Sequence, residues 1–303
     1  MSTDHKSGTG TSIVHGFTIT HGNPYGVACG GSHLLTLDSD KITGNNGGIR
    51  FQFTYAPSPV ASWVRRCDIS DNDGTGIECS TKSAAVIEDN HIDHNVLVPS
   101  TFGAGVFCYN GSSPTIQRNW IEYNNLLGEG PGGNDGGGIW CNGGQPTIRN
   151  NVIKGNRARK GGAVFVTGIS TVTMTNNTIV DNVASEYGGV VFIYQSYVTM
   201  ANNVFYANNT GVYRSDSAGS LTLYKNCYWN TSLDYYYPYG VIINYGDDFH
   251  QNPGLTNDRV HLAPGSFCID RADPAYCVGP TDIDGDARIR SGIGDIGADE
   301  YRP

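Results

Sequence analysis

Short apolar stretches bounded by Gly, Asn and Pro run along the whole chain, and no segment sustains the 3.6-residue period of an amphipathic helix. The strongest regularity is a six-residue pattern, Asn-x-Ile-x-x-Asn or a near relative, at 40–45, 67–72, 90–95, 119–124, 151–156, 177–182 and 203–208. Its central apolar residues are Ile42, Ile69, Ile92, Ile121, Ile153, Ile179 and Phe205, with Ile19 one unit earlier, spaced 23 to 32 residues apart. Between them a Gly-rich turn leads into an apolar strand that ends in Cys29, Phe51, Cys79, Cys108, Cys141, Phe165 and Phe192. A unit of this length holds several strands but cannot enclose a core, so it buries its apolar side chains only by stacking on its neighbours.

Stacking predicts an all-β chain: a single-stranded parallel β-helix, or solenoid, of about eight to nine coils. It occupies residues 1–245, and an irregular C-terminal capping tail, 246–303, packs on it. A right-handed coil is expected, because parallel strands joined by crossovers take that hand in about 98% of cases. Equivalent residues of successive coils then lie about 4.8 Å apart. The isoleucines become an internal ladder whose members each contribute on the order of 1.5–3 kcal/mol by burial. Asn90, Asn119, Asn151, Asn177, Asn203 and Asn226 form a column of stacked amides at one sharp turn. The Tyr-rich segment 235–239 is expected to shield the last apolar layer and its edge strands.

The same ruler locates a working face. Three insertions, 54–62, 96–103 and 125–137, adjoin the strand column of Phe51, Cys79, Cys108 and Cys141, and insertions in a solenoid mark loops on one face. If that column points inward, strand alternation turns Arg50, Gln52, Glu78, Ser80, Phe107, Tyr109, Trp140 and Asn142 outward. Aromatic rings mixed with hydrogen-bonding groups suit the flat apolar faces and hydroxyl edges of sugars. In the later coils the same reading turns Val164, Val166, Val191 and Ile193 outward, an apolar patch suited to self-association or to cover by a loop.

Composition narrows the classes. Only 16% of residues are charged and the formal net charge is −9, which disfavours a phosphate backbone as partner. No run of roughly 18 to 20 apolar residues can cross a bilayer. Residues 1–10 are polar and lack the apolar segment of a signal peptide; with the repeat under way by Ile13, the chain looks trimmed at its start. Of the eight cysteines, Cys29, Cys79, Cys108 and Cys141 share a slot with Phe, which marks a packing position rather than a disulfide or metal ligand. Cys268 and Cys277 lie close enough in the tail to close a short loop, either as a disulfide or as free thiols.

Residues 13–230 resemble the bacterial right-handed parallel β-helix repeat proteins, whose coil is shared with pectate lyases and other polysaccharide-active enzymes. The tail segments 262–274, 282–288 and 295–301 are similar to the closing part of many large surface proteins of that kind. The resemblance implies an extracellular or cell-surface protein that binds a polysaccharide along the first parallel sheet and either cleaves it or only holds it. A non-catalytic adhesin or spacer module is the alternative.

Glu78 is the single carboxylate on the floor, with Asp73, Glu129 and Asp135 in flanking turns. Glu78 with Asp135 is the candidate pair for hydrolysis, which needs carboxyl groups roughly 5–5.5 or 6.5–9.5 Å apart. Arg50, Tyr109 and His94 are the types a lyase would use to neutralise a uronate and take its C5 proton. No pectinase-type motif is present: Val14-His-Gly16 and Thr20-His-Gly22 lack a preceding Gly, and Asp247-Asp248 stands past the last clear coil. No cofactor is required by this reading; Asp282, Asp284 and Asp286 have the spacing of a calcium loop, but Ile293 stands where such a loop has its bidentate Glu. A structural turn is the competing reading.

Overall fold

A computed structural model describes residues 10–52, 61–97, 102–126, 135–232, 235–236, 242–244, 248–290 and 292–303. Residues 54–60, 98–101 and 127–134 of the insertions, Glu129 among them, and residues 237–239 lie outside these. The described chain is a parallel β-solenoid. A ten-stranded sheet runs from Thr11–His15 to Ile242–Asn244, and a nine-stranded isoleucine sheet from Thr18–Ile19 to Cys227–Trp229. A nine-stranded cysteine sheet runs from Val27–Gly30 to Tyr235–Tyr236. A short fourth sheet joins Val96–Leu97, Asn125–Leu126, Arg157–Lys160 and Val183–Tyr187. Each strand pairs with its counterpart one coil on. No helix is long and apolar enough to cross a membrane among the described residues.

The predicted ladders are present. Ile42, Ile69, Ile92, Ile121, Ile153 and Ile179 are fully buried and pair in register, followed by Phe205 and Tyr228. On the ten-stranded sheet Leu37, Val64, Ile87, Ile116, Ile148 and Met174 form the facing wall.

Two amide columns fix the corners on either side of the isoleucine sheet. In the expected column, Asn119 Nδ2 donates to Asn151 Oδ1 (3.0 Å) and to the Ile87 carbonyl (2.9 Å). Its Oδ1 accepts from both N and Nδ2 of Asn90 (3.1 and 2.9 Å). The second column, Asn45, Asn72, Asn95, Asn124, Asn156, Asn182 and Asn208, repeats the pattern. The residue before each of these asparagines sits at positive φ, His94 (51°) and Tyr123 (52°) among them, conformations that only a well-determined surrounding can hold. Asp248 continues the first column: its Oδ1 accepts both N and Nδ2 of Asn226. It is therefore the terminal rung rather than a residue beyond the coil, and a carboxylate, having no donor, ends the chain of amides.

Glycine enters for close approach. A Cβ at Gly48, Gly76 or Gly105 would stand 2.2, 2.8 and 2.5 Å from a carbonyl oxygen of the next coil, so the turn into the cysteine sheet excludes any side chain.

The expected orientation of the later strands of the cysteine sheet fails, and the open question of Cys268 and Cys277 resolves to free thiols. Phe165 pairs with Trp140 and Val166 with Cys141, so Val166 and Ile193 continue the inward slot while Phe165 and Phe192 face out. Val164, Val166, Val191 and Ile193 are fully buried and offer no surface for self-association. Those strands are apolar on both faces, so alternation cannot tell in from out, and a one-residue slip exchanges the faces. All eight cysteines are free. Cys268 shares an apolar cluster with Cys227, while Cys277 lies 3.8 Å from Asn202 Nδ2, so the loop-closing disulfide is not formed.

The tail lies along one flank of the coils, and its first described residues, Asp248 and Phe249, extend the last rung. Asn150, Asn176 and Asn202, the corner residues of three successive coils, donate to tail carbonyls of Val278 (3.1 Å), Asp295 (3.2 Å) and Asp273 (3.0 Å). Val260, Ile283 and Ala298 pack on Val152 and Trp120. The outward column of the isoleucine sheet explains the choice: Lys41, Asp68 and His91 give way to Trp120, Val152, Thr178, Val204 and Cys227, and the tail buries the apolar half.

Replacing Asn151 by Ala removes, within a buried column, the acceptor of the Asn119 main-chain N–H and of one Asn119 Nδ2 proton, and the side-chain donor to the Ile116 carbonyl. Unpaired buried groups cost roughly 1–3 kcal/mol each, so Asn151→Ala is expected to destabilise by about 3 kcal/mol or more in denaturant unfolding. Exposed Asn46→Ala, at a position with ordinary backbone geometry, serves as the control and should change stability little.

Candidate functional site

The outward column of the cysteine sheet reads Arg50, Glu78, Phe107, Trp140, Phe165, Phe192, Tyr213 and Tyr236, each paired with the next. Its first part is polar and its remainder is an aromatic stack. Trp140, Phe165 and Phe192 are buried, flanked by Phe102, Phe107, Tyr109 and Tyr213. Phe102 stacks on Trp140 at 4.8 Å, and Lys160 of the short sheet lies over Phe192 at 5.2 Å. Trp140 is 5% exposed, so it packs the covering layer and presents no face to a sugar, contrary to the sequence expectation. At the far end the column reopens, where Tyr187, Tyr213 and Tyr236 line a depression of ≈ 150 Å³.

The polar end holds the tightest constellation. Glu78, 7% exposed, accepts from Tyr25 Oη (2.6 Å) and Tyr109 Oη (2.9 Å), and Arg50 Nε lies 3.0 Å from its Oε1. The Arg50 guanidinium sits 5.3 Å from the centre of the Tyr25 ring. Burial works against the Arg50 charge, but Glu78 outweighs it and holds the guanidinium above its ordinary pKa. Burial, then the hydrogen bond to Glu78, pushes the Tyr25 phenol well above its usual range. A buried carboxylate that accepts from two hydroxyls and lies against a guanidinium is rigidly held. It positions Arg50 and Tyr109, which remain partly accessible, beside exposed Gln52.

Tyr25 was not among the expected residues. It stands in the turn before Val27–Gly30, and its ring occupies the space left by Gly47, where a Cβ would be 2.7 Å from Tyr25 Cδ1. The pair Gly47-Gly48 in the following coil was the available signal.

The other expected residues scatter. Asp135 bridges Phe102 and Lys160 in the backbone and pairs with Arg159 at 3.2 Å; burial lifts its carboxyl above the usual value although Arg159 opposes this. It precedes Trp140 by a turn, two coils beyond Glu78, which is roughly 9.6 Å along the axis before any lateral offset. Each carboxylate has its own cationic partner, Arg50 for Glu78 and Arg159 for Asp135. Asp73 is exposed at a corner. His94 occupies another corner, bonded to Asp93 (2.5 Å) and tilted against Tyr123. Asn142 ends its strand with Oδ1 against Gly168.

In the tail, Asp282 Oδ1 accepts the N–H groups of Asp284 (3.0 Å) and Asp286 (2.7 Å), and its Oδ2 that of Glu300 (2.9 Å). Asp286 faces Arg302, and Asp284 faces His261 at 3.1 Å. The three carboxylates therefore turn apart and do not converge as a calcium loop would require; the segment is a turn knotted by one buried aspartate.

Residues 5–157 and 124–258 match the family described as the right handed beta helix region. No curated protein matches the chain significantly. The overlapping matches take in most of the chain and coincide with the stacked coils, and the chain therefore belongs to the right-handed β-helix family.

Proposed function

We propose that the protein binds an acidic polysaccharide at the polar end of the cysteine sheet, at the cell surface or outside the cell. The observation that carries this reading is the Glu78 clamp. It immobilises a guanidinium and a phenol side by side on an outer strand face, with Gln52 and half-buried Phe107 adjoining. A fixed cation beside aromatic edges and an amide matches the carboxylate, ring face and hydroxyls of a uronate. The family fold is compatible with polysaccharide-active proteins. Glu78 supplies rigidity rather than proton transfer, because its oxygens are already engaged.

Elimination is the second reading, favoured by one feature, the pairing of Arg50 with Tyr109. In that step a base takes the C5 proton, the C4–O bond breaks, the leaving oxygen is protonated, and a C4=C5 double bond remains. New absorbance from the unsaturated uronate over a polyuronate panel is the result expected of cleavage, whereas silence with retained binding leaves the binding module.

Polygalacturonate or alginate is expected to bind more tightly than a neutral glucan in affinity electrophoresis. Arg50→Gln and Tyr109→Ala should each weaken that binding by about tenfold or more, equivalent to about 1.4 kcal/mol. Unchanged retention in both variants would remove the site from consideration. The clamp also sets an alkaline limit. Tyr25 is held neutral in the folded protein but ionises near pH 10 when unfolded, so its contribution is present below pH 10 and declines as pH rises beyond it. Unfolding midpoints measured across that window should fall less steeply in Tyr25→Phe than in the unaltered protein.

A further inference from the structure

We propose that His261, Asp284 and Asp299 bind a divalent cation of the zinc class that ties the tail together against the solenoid. Among the described residues these three form a group whose ligand atoms all lie within 4.8 Å of one another. They come from three segments of a tail whose described residues hold one regular element, the short 3-10 turn Pro274–Tyr276.

Asp299 is the first reason to expect an ion. It is 6% exposed, its Oδ2 accepts the Leu262 N–H at 2.6 Å, and one of its oxygens lies within 4.8 Å of an Asp284 oxygen. Two carboxylates held this close, one of them buried, repel unless a proton or a cation stands between them. The second reason is the orientation of His261. Its Nδ1 faces Asp258, whose other oxygen is held by Thr256 Oγ1 (2.6 Å) and by the N–H groups of Val260 (2.8 Å) and His261 (3.1 Å). That contact takes one ring proton at Nδ1 and points Nε2 at Asp284 Oδ2, 3.1 Å away. Nε2 and the carboxylate oxygen are joined there by a second ring proton or by a cation. Ligands about 2.0–2.2 Å from one tetrahedral ion lie roughly 3.3–3.6 Å apart, close to the spacing seen. A carboxylate behind the distal ring nitrogen is also the usual outer support of a metal-bound histidine.

One imidazole with two carboxylates selects a borderline ion over calcium, which takes oxygen ligands only. Asp284 and His261 are partly exposed, so the ion has an entry path and room for water as a fourth ligand. A cation here would cross-link three irregular segments, the place where a clip removes most chain freedom.

The test is calorimetric titration of Zn²⁺, and separately Ca²⁺, into the full chain after removal of metals by chelator. One Zn²⁺ per chain is expected, with Ca²⁺ weaker by about tenfold or more and a rise in thermal midpoint on adding Zn²⁺. His261→Asn and Asp299→Asn should each weaken Zn²⁺ by about tenfold or more. Asp299→Asn keeps an acceptor for Leu262, and retention of the β-sheet circular dichroism spectrum separates lost binding from lost folding. His33→Asn, a histidine far from the tail, should bind as the unaltered protein does. Absence of stoichiometric Zn²⁺ binding, equal affinity for Ca²⁺, or unaltered binding in both ligand variants would overturn the proposal and leave a protonated His261 as the group between the carboxylates.

Discussion

The structure depends on a buried asparagine amide satisfied on all sides. Each interior member of a column accepts twice at Oδ1 and donates twice at Nδ2, once to the next amide and once to a main-chain carbonyl of the preceding coil. Only a carboxamide has both capacities on one short side chain. The column therefore fixes register as well as energy: a coil displaced by one residue would bury several unpaired groups at once. It also holds the backbone of each corner at positive φ, a conformation few of the residues found there adopt unaided. Asp248, which can accept but not donate, closes the series.

With register fixed, the outer faces are free to diverge in chemistry. The cysteine sheet and the isoleucine sheet both change from polar to apolar along the axis, and in each the apolar part is covered by other chain. The short sheet and Phe102 lie over Trp140, Phe165 and Phe192, and the tail lies over Val152, Thr178 and Val204. What remains open on the cysteine sheet is the tyrosine-lined far end and the polar end, where Glu78 contacts three neighbours drawn from three other coils. Such a cluster is rigid because each partner is carried on a separately anchored rung.

The tail extends the same logic with different means. It has no repeat, so it borrows the corner asparagines Asn150, Asn176 and Asn202 as docking points and ties its turns with aspartates that accept main-chain N–H groups. The concentration of carboxylates at that flank follows from this use. It also leaves the group around His261 with negative charge that the described side chains only partly answer.

The coil, its inward isoleucines and the first amide column were legible because they repeat: a residue type recurring at one place per unit stacks on itself whatever the rest of the chain does. The polar floor at Arg50, Glu78 and Tyr109 was legible for the same reason, since alternation is unambiguous where polar and apolar residues exchange places. It failed at Phe165 and Phe192, in strands apolar on both faces, and with them fell the reading of Val164 and Ile193 as surface. Tyr25, the separation of Asp135 from Glu78, the covering of Trp140 and the path of the tail were decided only by tertiary structure. Each depends on which loop lies over which rung, and a periodic sequence carries no record of how its non-repeating parts fold back across it.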